Sequence, residues 1–89
     1  MEIKIIKAEF IDNYKIGLEF NDGKKITVDF GSFLKNSANP MTRRYIDLTL
    51  FRDFKIVHGD LVWGDYDLCF PIWDLYTGMV EKATASGSV

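Results

Sequence analysis

Asp60, Asp65, Asp67 and Asp74 gather in one stretch of the chain, close to its only histidine, His58, and its only cysteine, Cys69. Two carboxylates spaced as Asp65 and Asp67 are can offer oxygens to a hard cation. The rest of a calcium-binding loop is missing, because the glycine position and the terminal glutamate of that pattern are not filled. The competing reading is structural. Asp67 suits a cap for a turn or for the helix after it, and Asp74 suits a first helical turn, where negative charge is favoured. Metal binding at Asp65 and Asp67 is therefore a minor alternative, and no cofactor is expected. A histidine base needs a nucleophile and an orienting partner. Cys69 lies between Leu68 and Phe70, and an apolar flank raises a thiol's pKa and makes it inert. Cys69 reads as a small core residue, and His58 as a half-exposed residue at a strand end. The chain has no glycine-rich phosphate loop, no Ser-His-Asp set and no zinc-type cysteine pair. The expectation is a protein that is not an enzyme.

The cationic candidates are two pairs, Lys24-Lys25 and Arg43-Arg44, which Lys35 could join in a local positive patch. Phe33 and Tyr45 are interleaved with them and could stack on bases. A net charge of −2 argues the other way, because nucleic-acid affinity rests on neutralising phosphates. A nucleic-acid-associated regulator stays the alternative reading. Tryptophan and tyrosine are enriched at binding hot spots. Trp63 and Tyr76 suit plain core packing. Trp73 falls off the apolar face of its helix, and Tyr66 lies in the acidic connection, so Tyr66 and Trp73 are the candidates for contact with a small protein partner or with a second copy.

These residues must be held by a small frame. Eighty-nine residues make one domain, expected over 1–80, with a flexible tail over 81–89, where apolar periodicity stops. Hydrophobic residues make up 47% and aromatic ones 15%, which suits a folded core. A single cysteine fits a reducing compartment, and no long apolar run marks a signal peptide or a membrane span, so a cytoplasmic protein is expected.

Residues 3–11 read as a strand with apolar side chains in both phases, the pattern of a strand covered on both faces. Asp12-Asn13 supplies turn chemistry. Residues 14–20 and 24–30 alternate clearly. A two-residue loop at Asp22-Gly23 would set their apolar sets on opposite faces. A three-residue loop, Asn21-Asp22-Gly23, pairs position 20 with 24, 18 with 26, 16 with 28 and 14 with 30, and puts both sets on one face. Gly31-Ser32 opens a short helical turn carrying Phe33 and Leu34, and Asn36 to Pro40 is loop-like. Residues 42–51 read as a short helix with Thr42 as N-cap. A hairpin turning at Gly59-Asp60 follows, which pairs Ile56 with Trp63 and places Phe54, Ile56, His58, Leu61 and Trp63 on the core face. Over 71–80, Ile72, Leu75, Tyr76, Met79 and Val80 recur on one helical face behind Pro71. The fold class is α+β: a small antiparallel sheet of about five strands, a short inserted helix and a C-terminal closing helix.

Four features then occur in order. A strand ending at Phe20 runs into Asp22-Gly23-Lys24, and the next strand ends in Val28-Asp29-Phe30. Phe51 precedes Trp63, with Gly59 between them. Asp67-Leu68 follows Trp63, and Leu75-Tyr76 stands near the end. In this the chain resembles the bacterial family catalogued as domain of unknown function 2442, over about residues 3–77. Gly64 stands where the usual proline would follow Trp63, and the stretch to Asp67 is shorter than the common form. The resemblance implies a small α+β domain and assigns no catalytic residue. Similar proteins in some cases carry a helix-turn-helix domain after this module, and they tend to be encoded beside other small proteins. That context implies an interaction module, accessory to a toxin–antitoxin or regulatory pair.

Overall fold

The structure, a computed structural model, describes residues 2–80; the tail expected over 81–89 lies outside the described residues. Strands β1 (Ile5–Asp12), β2 (Lys15–Phe20) and β3 (Lys25–Asp29) form one antiparallel sheet in that order. Strands β4 (Phe54–Val57), β5 (Asp60–Trp63) and β6 (Leu68–Cys69) form a second. Between the sheets in sequence lie α1 (Gly31–Asn36), α2 (Pro40–Arg43), a 3-10 turn (Arg44–Ile46) and α3 (Leu48–Phe51), and α4 (Ile72–Tyr76) follows the last strand. The α+β class, the helical insertion and the C-terminal helix are as expected. The strands are shared between two sheets of three rather than gathered into one.

The β2–β3 register is the one that phase demands. Ile16 pairs with Val28 and Leu18 with Ile26. The Phe20 amide donates to the Lys24 carbonyl at 2.9 Å, which closes the three-residue loop, and Gly23 takes a φ of +95° there. Ile16, Leu18, Phe20 and Val28 are all buried.

β1 departs from its expected place. It is an edge strand, not one covered on both faces. Its pairing runs Ile5 with Phe20, then Lys7 with Glu19, so Ile6 is an extra residue. Such a bulge shifts the side-chain phase by one. Ile5, Ala8 and Phe10, out of phase in sequence, therefore all pack on the core. Ile6 points out and is 58% exposed.

The second hairpin turns one residue earlier than expected. Val57 pairs with Asp60 and Ile56 with Leu61, so the loop is His58-Gly59, with φ of +52° and +85°. Paired left-handed residues form the turn that matches the twist of a hairpin. Ile56 consequently faces Leu61, and Phe54 faces Trp63. The slip is by an even number of positions across the ladder, so Phe54, Ile56, Leu61 and Trp63 still share a face. His58 is removed from it into the turn.

The helix expected over 42–51 is three short pieces. Asn39 accepts from the Met41 amide and caps α2, while Asp47 accepts from the Thr49 amide and caps α3. Thr42 is not a cap; it lies buried inside α2. The helix expected over 71–80 ends at Tyr76, and the chain turns left-handed at Gly78 (φ +75°). Leu75 and Val80 are buried, but Met79, assigned to the same face, is exposed.

One core joins the two sheets and the helical insert. Trp63 is its hub. Its ring lies 5.7 Å from Phe51, stacked, and 5.6 and 6.0 Å from Phe30 and Phe70, edge-on. Its indole N–H donates to the Phe51 carbonyl at 2.7 Å.

Candidate interaction surface

An exposed aromatic on a fixed support stands at α4. Trp73 is 57% exposed, because it lies on the helix face opposite Leu75. Its ring stands edge-on to Tyr76, with centroids 5.2 Å apart. Tyr76 is itself held from three sides. Its ring packs edge-on against buried Phe20 at 5.0 Å. Its hydroxyl donates to Asp22 Oδ2 at 2.6 Å. The Lys24 ammonium donates to its carbonyl at 2.7 Å and stands 4.1 Å from its ring centroid. The Lys24 amide in turn donates to Asp22 Oδ1 at 3.0 Å. The β2–β3 loop thus grips α4, and the exposed indole sits on a fixed aromatic.

The electrostatics follow from these bonds. The Tyr76 hydroxyl, with help from the Lys24 amide, holds the Asp22 carboxyl below the usual 3.8. The same bond, then burial, raises the Tyr76 phenol above 10.0. A depressed acid contributes stability above its unfolded pKa and loses it as pH falls through its lower folded value. A raised phenol contributes below its unfolded pKa and loses it as pH rises through its folded value. The latch is therefore closed across neutral pH and opens at both extremes. In Tyr76→Phe, the Asp22 carboxyl should titrate closer to an ordinary aspartate, as read by carbon NMR of that carboxyl; an unchanged midpoint would refute the coupling.

Tyr66, the other partner-contact candidate, is 52% exposed in the β5–β6 loop with φ +62°. No bond or ring contact among the described residues joins it to Trp73. The acidic stretch it belongs to is a hairpin loop, since Val62 pairs with Cys69 and Trp63 with Leu68. Asp65 is exposed, and the Asp67 carboxylate turns to the Tyr45 hydroxyl. Among the described residues no group of three or more His, Cys, Asp or Glu side chains is placed to hold a metal ion.

The basic pairs are drawn apart. Lys24 and Lys25 stand at the turn end of β3. Lys35 lies beside the Tyr14 ring at its other end, and Arg43 donates to the Lys35 carbonyl at 2.9 Å. Five strand residues at about 3.3 Å each put roughly 16 Å between the two ends. Lys25 lies opposite Glu19, which lies opposite Lys7, on a shallow groove of about 340 Å³ across the outer face of the first sheet. Alternating signs there leave no cationic focus. Arg44 stacks on the Tyr45 ring at 5.6 Å.

Cys69 is corrected by the structure. It is exposed, not a core residue, although its ladder partner Val62 is fully buried. Burial of the thiol group, then the Asp60 charge, raises its pKa. His58 is exposed in the β4–β5 turn.

The family model described as a protein of unknown function, DUF2442, matches residues 5–81. The chain belongs to the DUF2442 family. Comparison with curated proteins and with solved structures gives no match. The sequence features on which the resemblance to DUF2442 rests are contacts in this fold. Asp22-Gly23-Lys24 meets Tyr76 in the α4 latch, and Phe51 meets Trp63 in the core. Asp67 meets Tyr45, and the Gly59 carbonyl accepts from the Ile5 amide at 2.9 Å, which ties the second hairpin to β1. The Asp22–Tyr76 latch was missed in the sequence because its members are 54 positions apart; the only signal was their shared place in the family pattern.

Proposed function

We propose that this DUF2442 chain is a non-enzymatic interaction module that docks a small protein partner through the surface around Trp73. The observation that carries the reading is an indole more than half exposed and seated on a tyrosine fixed by Asp22, Lys24 and Phe20. Large aromatic side chains dominate binding energy, and one already ordered loses little conformational freedom on docking. Tyr66 is a second, separate contact. The non-enzymatic part rests on the scatter of reactive groups: His58 stands in a turn, and the Cys69 thiol bonds only weakly to the Phe70 carbonyl at 3.9 Å. No helix among the described residues is long and apolar enough to cross a membrane. The single cysteine supports a place in the reducing cytoplasm, and the family resemblance supports a role as accessory to a regulatory or toxin–antitoxin pair.

The test is affinity purification of the tagged chain from its native host, read by mass spectrometry. One stoichiometric protein partner is expected. Trp73→Ala should lose it while changing stability by less than about 1 kcal/mol, since the side chain is mostly solvated. Equal recovery by Trp73→Ala, or no partner at all, would overturn the reading.

A further inference from the structure

The first sheet has two edges, and they are treated differently. Exposed edges are templates for pairing, and proteins protect them with bulges, prolines, covering elements or very short strands. β1 carries two register irregularities, and its first amide is bonded to the second hairpin through Gly59. β3 has an unbroken register from Lys25 to Asp29 and neither a bulge nor a proline.

The backbone of β3 alternates. Phe20 with Lys24 and Tyr14 with Phe30 are bonded pairs, so the even positions turn their N–H and C=O groups toward β2. Lys25, Thr27 and Asp29 turn theirs away. Among the described residues, no strand pairs with β3 on that side. The strand reads Lys-Ile-Thr-Val-Asp. Laid antiparallel on a second copy about Thr27, it sets Thr27 opposite Thr27, Lys25 opposite Asp29 and Ile26 opposite Val28. The outward-facing odd positions fall together as bonded pairs, as an antiparallel ladder requires. The ends match a cation to an anion twice, once at each end, and a two-fold axis demands such self-complementarity. Asp29 Oδ1 already accepts from the Gly31 amide at 2.9 Å, which fixes the carboxylate at the edge. The other edges do not offer this. β6 has two residues, and β4 carries lysine without an acid.

We infer that two copies of this chain pair through β3, forming a continuous six-stranded sheet with reciprocal Lys25–Asp29 contacts. This surface uses none of the residues of the Trp73 reading, so either can fail without the other.

Amide hydrogen exchange by NMR on the full chain, at low and high protein concentration beside light scattering, tests the pairing. The Lys25, Thr27 and Asp29 amides should gain protection of at least tenfold as the mass doubles, while the Ile26 and Val28 amides stay protected throughout. Variants give a second reading. Lys25→Glu sets acid against acid at both ends and should stay monomeric; Asp29→Lys sets lysine against lysine and should do the same. Mixed one to one, the two variants bring an acid against a lysine at each end of the ladder and should form the heterodimer. A chain monomeric at millimolar concentration would overturn the inference. So would a dimer whose odd amides remain unprotected, or one that Lys25→Glu leaves intact. The exchange pattern decides the matter even if Asp29→Lys, which loses the Gly31 contact, does not fold.

Discussion

Trp63→Ala should cost about 4–5 kcal/mol, a large share of what keeps the chain folded at room temperature. A fully buried tryptophan truncated to alanine loses about 3–5 kcal/mol through lost burial and the cavity left behind. Trp63 is at the upper end because its ring touches Phe51, Phe30, Phe70, Phe54 and Tyr45, which come from the helical insert, the strands and the segments that link them. Its indole N–H also satisfies the Phe51 carbonyl. A domain of this length holds only about 4–13 kcal/mol in total at 0.05–0.15 kcal/mol per residue, so this one truncation removes at least about a third of it. Urea unfolding followed by circular dichroism reads the effect. Trp63→Phe separates the parts: it keeps most of the ring but leaves the Phe51 carbonyl without its donor, which should cost about 1–3 kcal/mol. A shift below about 1 kcal/mol for Trp63→Ala would show that the aromatic cluster does not hold the two sheets together.

Much of this frame was legible in the sequence wherever a rule had only one solution. The β2–β3 register was such a case. Parity left only the three-residue loop, and Gly23 took the left-handed position. The hairpin at His58-Gly59 was misplaced by one residue, yet Phe54, Leu61 and Trp63 still meet the core, because an even slip leaves parity unchanged; Ile56, expected beside them, is exposed, and Val62 of the other phase is buried. β1 misled because periodicity cannot distinguish a strand covered on both sides from a strand whose bulge changes phase. β6 went unread because two residues carry no period. The helix over 42–51 broke because Asp47 reads in sequence as an interior polar residue, whereas its carboxylate caps the next turn. For the candidate surface, the exposure of Trp73 and Tyr66 followed from their positions off the apolar pattern. The clamp that orders Trp73 did not, since it needs the β2–β3 loop and α4 to be folded together before Asp22 can meet Tyr76.

Gly64→Ala should cost about 2–4 kcal/mol, a large effect for a change at an exposed position. Gly64 has φ +62°, a left-handed conformation that costs an L-residue about 1–2 kcal/mol. A Cβ there would also lie 2.5 Å from Asp67 Oδ2 and 3.0 Å from the Tyr45 hydroxyl oxygen. Asp67 would have to withdraw, leaving a buried hydroxyl without its acceptor, for about 1–3 kcal/mol more. Gly23→Ala is the control. It has the same hand, φ +95°, but nothing within 4 Å of the added carbon, so only the backbone cost should appear. If the two substitutions cost the same, the Asp67–Tyr45 contact does not contribute. If Gly64→Ala costs more, adding Asp67→Ala should make the pair less than additive, because the carboxylate in the way is already gone. The same contact sets an alkaline limit. Burial, then the Asp67 charge, holds the Tyr45 phenol above 10.0. A raised phenol stabilises the fold below its unfolded pKa and ceases to as pH rises through its folded value, so thermal stability should fall from about pH 10 upward. Asp67→Asn should bring the Tyr45 titration down toward an ordinary tyrosine, measured by ultraviolet absorbance. The remaining elevation would report burial, which the neutral amide does not change.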